Sequence, residues 1–129
     1  MIETVEQGVL ALGLALISVG AFCDLAASIG MVRFPNFFVR LHAATVGSIG
    51  GAVIPLIGVA LVASVSTQLG GLRWAVTGAS ATSALIIMLV APTGSHALAY
   101  SAHKARVVPV SPKVVDRLEE HEGLRRGEE

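Results

Sequence analysis

Three charged side chains stand alone in a long apolar part of this sequence. Between residues 8 and 71 the only acidic residue is Asp24, and the only basic residues are Arg33 and Arg40. A charged side chain at membrane depth costs about 2.5–3.5 kcal/mol on insertion scales, so a carboxylate there is a functional candidate by default. The chemistry open to Asp24 in such a place is the relay of a cation or a proton.

Asp24 also shares a helical stripe with small residues. Gly13, Gly20 and Ala27 follow one another at steps of seven, and Asp24 lies four residues after Gly20 and three before Ala27. Small residues let membrane helices approach closely. The alternative to ion relay is therefore a structural ion pair or hydrogen bond at a helix interface, formed with Arg33 or with a cation of a partner.

Residues 33–42 have the pattern of a short amphipathic helix in a loop. Arg33, Asn36 and Arg40 share one face, and we expect the helix to begin near Pro35, which suits a first turn. The apolar residues lie at helical spacing on another face: Phe34, Phe37, Phe38 and Leu41. Such a helix is typical of an interfacial anchor, with aromatic rings among the lipid headgroups, or it docks a partner subunit.

The remaining reactive residue types form no recognisable site. The sequence lacks a P-loop, G-x-S-x-G or H-E-x-x-H motif, so we expect no enzyme activity. Of the four histidines, only His96 and His103 share a helical spacing, and they lie two turns apart, so we expect no metal site and no cofactor. The net charge is zero with no basic patch, which argues against nucleic acid as a partner. Cys23, the single cysteine, fits a packed thiol.

Composition predicts an all-α integral membrane protein with three transmembrane helices. The chain is 53% hydrophobic and only 14% charged, whereas a soluble domain is about one quarter charged. Two regions follow, a membrane domain over residues 1–106 and a charged C-terminal tail over residues 107–129. We expect the spans at about residues 8–32, 43–65 and 72–91. Pro92 ends or kinks the third span, and a more polar helix then continues to about residue 106.

The placement of lysine and arginine predicts the orientation. The N-terminus has neither residue, the first loop has Arg33 and Arg40, and the second loop has only Arg73. Six more follow the third span: Lys104, Arg106, Lys113, Arg117, Arg125 and Arg126. With the N-terminus outside and the C-terminus inside, eight basic residues lie inside and one outside, as the positive-inside rule requires. The polar tail is then cytoplasmic.

Small residues on the spans predict close helix packing. Gly47 and Gly51 form a G-x-x-x-G in the second span, in addition to Gly13 and Gly20 in the first. The third span has small residues at the same spacing: Ala75, Ala79 and Ser83. Several small faces favour neighbours from outside this chain, although the same faces could pack within it.

The loop and the start of the second span resemble a known family signature. Residues 30–45 read G-M-V-R-F-P-N-F-F-V-R-L-H-A-A-T. This is similar to the signature of the small G subunit of the multisubunit monovalent cation/proton antiporters called Mrp, Mnh or Pha, which have the same size and three spans. Residues 91–99 resemble the family's proline-to-histidine segment. The positions that match the loop signature include Arg33, Pro35, Arg40, His42 and Thr45.

Two positions depart from that signature. Asn36 stands where the family usually has an aspartate, and Val46 stands where it often has a lysine. One interpretation is that a compensated acid–base pair has been lost together. The other is a divergent cation preference.

The resemblance implies a role within a complex. Members exchange cytoplasmic Na⁺, and in some cases K⁺, for external protons, and the G subunit is one of several small membrane subunits needed for assembly, with a possible place in the cation path. The implied partners are the large antiporter-like subunits, the other small subunits, the lipid bilayer and the transported Na⁺, K⁺ and H⁺. The implied location is the bacterial cell membrane. Two alternatives remain: a homo-oligomeric transporter with Asp24 as its coupling carboxylate, and a membrane adaptor whose tail binds a soluble protein.

Overall fold

A computed structural model describes residues 2–106 of the chain, and every regular element in that part is a helix. The predicted tail, residues 107–129, lies outside the described residues. Helix α1 covers Ile2–Arg33, α2 covers Phe37–Val46, α3 covers Ile54–Val65 and α4 covers Leu72–Lys104. A π-helical segment, Gly47–Val53, joins α2 to α3 without a break. A single 3₁₀ turn, Thr67–Leu69, precedes α4.

Three helical spans result, each long and apolar enough to cross a membrane. They cover Glu3–Arg33, Phe37–Val65 and Leu72–Lys104. The second span is therefore α2, the π segment and α3 together. At about 1.5 Å per residue even the 29 residues of the second span exceed a hydrocarbon core of about 30 Å. The predicted all-α class with three transmembrane helices is confirmed.

The helices are longer than the spans that hydropathy predicts. The second helix begins at Phe37 with Asn36 at its N-cap, and not near Pro35, so residues 37–42 of the predicted loop helix form the first turns of the second span. Only residues 34–36 separate it from α1. Polar and aromatic side chains lower the hydropathy there without interrupting the backbone hydrogen bonds.

Pro92 does not end the third helix, because α4 continues from Leu72 to Lys104 with this proline inside it. Proline removes one backbone donor from a helix. Around it, the hydroxyls of Thr93 and Ser95 donate to the carbonyls of Leu89 and Ala91, each at 3.0 Å. Serine and threonine side chains commonly support the backbone near prolines in membrane helices.

The second span lies between the other two. It packs against both α1 and α4, which make almost no contact with each other. The buried apolar side chains are small: Ala27, Ala43, Val53, Ala63 and Ala84. Large apolar side chains point outward instead, as for Phe22, which is 71% exposed. The outer faces of α1 and α4 are thus apolar and are not covered by the rest of residues 2–106.

Candidate functional site

The second span changes its hydrogen-bond register in the π segment. The backbone N–H of Ile54 donates to the carbonyl of Ile49, five residues earlier. Pro55 follows directly, and a proline ring clashes with the carbonyl four residues before it, here that of Gly51. A wider turn upstream accommodates the ring. Because π-helical turns are rare and often lie at functional sites, the surroundings of this segment form the first candidate site.

Glycines bring the π segment against α1. A Cβ atom added to Gly51 would lie 2.7 Å from the Cβ of Asp24 and 3.0 Å from its Cα. A Cβ added to Gly50 would lie 2.9 Å from the Cβ of Cys23, and one added to Gly47 would lie 3.0 Å from the Cβ of Ala27. Real Cβ atoms essentially never lie closer than 3.0 Å to another heavy atom, so Gly50 and Gly51 allow this separation of the two backbones, and an alanine at Gly47 would be at the limit.

The contact continues along both helices in antiparallel register. Gly13 lies against Gly58 and Val62, and Gly20 lies against Pro55. The predicted stripe of Gly13, Gly20, Asp24 and Ala27 on α1 therefore faces the second span over its whole length. Packing within the chain uses these glycines, and it places Asp24 at the edge of the interface.

Asp24 borders an open pocket between α1 and the second span. The pocket has a volume of about 400 Å³. Its lining combines small apolar residues with three polar side chains: Asp24, Ala27, Ser28, Met31, Ala44, Gly47, Ser48, Gly51 and Ala52. We call it the Asp24 pocket. A pocket of this size beside the only acidic side chain between residues 8 and 71 is a candidate site for an ion.

The Asp24 carboxylate has no hydrogen-bond or ion-pair partner within residues 2–106. Its side chain is exposed at the mouth of the pocket. The predicted alternative of a pair with Arg33 is not formed. The two residues are nine positions apart on α1, which is about 13 Å along the helix axis. Asp24 is therefore open to a ligand or to a group from another molecule.

Arg33, Arg40 and His42 lie apart from the pocket, at the end of the molecule where α1 stops and α2 starts. Arg40 Nε donates to the backbone carbonyl of Phe34 at 2.5 Å, which fastens the turn between the helices. The side chains of Arg33, Pro35, Arg40 and His42 are exposed. The family-like loop is thus an exposed surface at one end, separate from Asp24.

The aromatic residues of the loop pack at this end. Phe37 and Phe38 meet edge to face with ring centroids 5.6 Å apart. Phe34 lies over Gly30, where an added Cβ would be 2.8 Å from its ring. The ring of Phe34 packs on α1 and its backbone carbonyl accepts the bond from Arg40, so Phe34 supports the turn in addition to any interfacial role.

Thr45 joins the second span to α4. Its Oγ1 lies 2.7 Å from the Oγ of Ser95, and each hydroxyl also bonds the carbonyl one turn earlier on its own helix, Leu41 for Thr45 and Ala91 for Ser95. The two hydroxyls hold two protons for these three hydrogen bonds, so one of the three is vacant at any moment. The family-motif position Thr45 thus serves a different helix contact from Asp24.

Asn36 and Val46 are too far apart to form the acid–base pair considered above. They lie at opposite ends of α2, ten residues apart, which is about 15 Å along the helix. A salt bridge needs its charged atoms within about 4 Å. The interpretation of a directly paired aspartate and lysine at these two positions is therefore wrong for this fold.

Sequence reasoning missed Ser28, Ser48, Ser95 and the π segment. Ser28 follows Asp24 by four residues, which places it on the same helix face, and that spacing could have revealed it. The glycines of the π segment followed by Pro55 were a signal for irregular backbone. Nothing in the sequence indicated that Ser95 would meet Thr45.

The histidines, Cys23 and the small residues of α4 form no site in the described part of the chain. No cluster of three metal-ligating side chains occurs within residues 2–106. Cys23 is a free thiol against Gly50. The small residues of α4 at positions Ala75, Ala79 and Ser83 are exposed and face away from the second span.

Comparison with known proteins decides the family. A sequence model of the family PhaG_MnhG_YufB, described as Na⁺/H⁺ antiporter subunit, matches residues 16–103. This range contains the Asp24 pocket, the loop and most of α4. The chain belongs to this Na⁺/H⁺ antiporter subunit family. The resemblance noted on the loop signature is thereby confirmed.

Curated proteins from several organisms are similar to this chain. The UPF0091 protein RC0354 of Rickettsia conorii is 36% identical over 87 residues, which is 67% of this chain and 74% of the relative. The UPF0091 protein PH0944 of Pyrococcus horikoshii is 32% identical over 82 residues, 64% of this chain and 72% of the relative. A Staphylococcus aureus protein named as antiporter subunit mnhG2 is 33% identical over 89 residues, 69% of this chain and 57% of the relative.

Proposed function

We propose that this chain is a small subunit of a multisubunit Na⁺(K⁺)/H⁺ antiporter of the cell membrane, where it completes the complex and lines part of a cation path. It is not an enzyme in this proposal and does not transport ions alone. The observation that carries the proposal is the unpaired Asp24 carboxylate at an open pocket, in a chain of the antiporter subunit family.

The exposed faces of the helices support a role within a complex. Only 11% of the most apolar window of α1 is buried within the chain, and the same holds for α4. Lipid can cover such faces, but the small residues of α4 and the polar mouth of the Asp24 pocket suit protein neighbours better. Charged groups inside membrane proteins face a bundle interior or a water-filled cavity. Neighbouring subunits would supply that interior.

The charges at the helix ends support the proposed orientation. Arg33, Arg40, Lys104 and Arg106 lie at the end where α1 and α4 finish, while Glu3, Glu6 and Arg73 lie at the other. The positive-inside rule places the first end in the cytoplasm. In this orientation the Asp24 pocket lies nearer the cytoplasmic side, from which the exported cation would enter.

The test begins with the native complex. A tagged copy, expressed with its neighbouring genes, is purified in mild detergent, and the co-purifying proteins are identified by mass spectrometry. We expect several larger multi-span subunits, and we expect loss of cation/proton antiport in vesicles when this chain is deleted. A complex that keeps full antiport without this chain would contradict the proposal.

The carboxylate is then tested separately. Asp24→Asn keeps nearly the same shape and removes the charge, so we expect the complex to assemble in normal amount and to lose antiport. Ser18→Ala, an exposed position on α1 outside the pocket, serves as the matched control. Unchanged transport in an assembled Asp24→Asn complex would remove Asp24 from the ion path.

A second candidate function is a homo-oligomeric transporter that uses Asp24 for coupling. The same open pocket favours it, because a second copy could supply the missing neighbour. The purified chain, reconstituted alone in vesicles, would then move Na⁺ against a proton gradient. A membrane adaptor is the third candidate, and it would tolerate Asp24→Asn but not removal of residues 107–129.

A further inference from the structure

The Asp24 pocket has hydroxyl oxygens on both of its walls. Ser28 lies one helical turn beyond Asp24 on α1, and Ser48 lies on the π segment across the pocket. The Ser48 hydroxyl donates its proton to the carbonyl of Ala44 at 3.0 Å, so its oxygen lone pairs remain open to a cation. The Ser28 hydroxyl is bonded to nothing within residues 2–106. Three side chains therefore offer oxygen ligands to one space.

Glycines of the π segment let the Asp24 carboxylate lie close to its backbone. A Cβ on Gly51 would lie 2.9 Å from Oδ1 of Asp24, and one on Gly47 would lie 4.0 Å from the same oxygen. Any larger residue at position 51 would displace the carboxylate from this place. The close approach therefore sets the position of the Asp24 backbone against the π segment that carries Ser48.

We propose that Asp24, Ser28 and Ser48 form this chain's half of a binding site for a monovalent metal cation, with Asp24 as the charged ligand and the two serines as neutral ligands. The inference rests on the proposed function and deepens it by naming the ligand set. One carboxylate balances one positive charge, and hard cations prefer oxygen ligands. A divalent ion would leave a net charge at membrane depth, which is costly.

A neighbouring subunit completes the site. Three side chains offer at most four oxygen atoms, which are too few, because hard cations take about six oxygen ligands. The pocket is open, and its volume of about 400 Å³ leaves room for side chains or water from the outer side. The missing ligands are neutral oxygen atoms, since a second carboxylate would require a second cation and a lysine or arginine would occupy the place of the ion.

The test uses the assembled complex in vesicles and measures the KM for Na⁺, the KM for K⁺, kcat and the amount of complex. Ser28→Ala together with Ser48→Ala removes both neutral ligands. We expect the KM of the transported cation to rise about tenfold, because two of its neutral oxygen ligands are lost, and we expect kcat and assembly to stay unchanged. Ser18→Ala should leave the KM unchanged.

Ser28→Ala alone is the second variant, because that side chain is exposed and its loss breaks no bond of the fold. We expect a smaller rise in the same KM. Asp24→Glu, which keeps the charge, should retain transport where Asp24→Asn loses it.

Two results would overturn the inference while leaving the proposed function intact. In the first, antiport needs Asp24 but the serine variants keep the normal KM for the cation. This result would mean that the carboxylate relays protons without binding a metal cation. In the second, Asp24→Asn prevents assembly, which would mean that a cationic side chain of a partner fills the pocket. Failure of the proposed function is distinct, because antiport would then be independent of this chain.

Discussion

Gly51 lies so close to Asp24 that a side chain at position 51 would have no room. A Cβ at position 51 would stand 2.7 Å from the Cβ of Asp24 and 3.0 Å from its Cα. The second distance is to backbone, which cannot move aside as the end of a flexible side chain can. The contact couples the packing of two spans to the position of the only acidic side chain between residues 8 and 71.

Gly51→Ala should therefore separate α1 from the π segment. Overpacking of a close contact costs about 1–3 kcal/mol, so we expect the midpoint of thermal unfolding of the isolated chain in micelles to fall and antiport of the complex to decrease. Gly78→Ala is the matched control, because nothing lies within 4 Å of a Cβ at that position of α4. Equal melting midpoints for the two variants would contradict the close packing at Gly51.

The hydroxyl pair of Thr45 and Ser95 should couple the second span to α4. Thr45→Val and Ser95→Ala each remove one hydroxyl, and the double variant closes a thermodynamic cycle. Hydrogen bonds between membrane helices contribute about 0.6 kcal/mol on average, so we expect a coupling energy of that size in SDS-induced unfolding of the chain in micelles.

Thr93→Val with Ser101→Ala provides the control cycle for that measurement. Both hydroxyls bond carbonyls within α4, those of Leu89 and Ala97, and neither reaches another helix. We expect additive effects for this pair. A coupling energy near zero for Thr45 and Ser95 as well would mean that the two helices do not depend on their hydrogen bond.

Arg40 should stabilise the turn between α1 and α2 through geometry as well as charge. Its Nε donates to the carbonyl of Phe34, a bond for which lysine has no equivalent atom. We expect Arg40→Lys to lower the free energy of unfolding by about 0.5–1.5 kcal/mol, the usual value of one hydrogen bond. Arg33→Lys, at the exposed end of α1, should have a smaller effect. Equal losses at both positions would assign the role of Arg40 to charge alone.

Composition was enough to predict three membrane-spanning helices, because the apolar residues exceed what a soluble chain of this size can bury. The stripe of Gly13, Gly20, Asp24 and Ala27 was also visible from helical spacing, which depends only on the chain itself. Where each helix ends was harder to predict. Hydropathy falls before residue 43 and after Pro92, but the hydrogen bonds of the helices continue through both places.

The pocket could not be predicted as a unit. It depends on how near two helices approach and on the backbone of the π segment that carries Ser48, and neither is set by the residues of α1 alone. Ser28 was accessible through its spacing from Asp24, whereas the meeting of Thr45 with Ser95 required the crossing of two spans 50 residues apart in sequence.

Asn36 and Val46 should act independently, because α2 separates them by about 15 Å. Asn36→Asp places a carboxylate at a helix N-cap, where it is as favourable as asparagine and gains from the helix dipole, so we expect stability to stay equal or to rise by a few tenths of a kcal/mol.

Val46→Lys changes a side chain that is 45% exposed next to the π segment. Position 46 lies closer to the Asp24 pocket than position 36 does. We therefore expect the positive charge of the new lysine to weaken cation uptake and to raise the KM for Na⁺. In the double variant the effects on the KM for Na⁺ should add. A double variant that restores the normal KM would instead show that positions 36 and 46 communicate through a path other than direct contact.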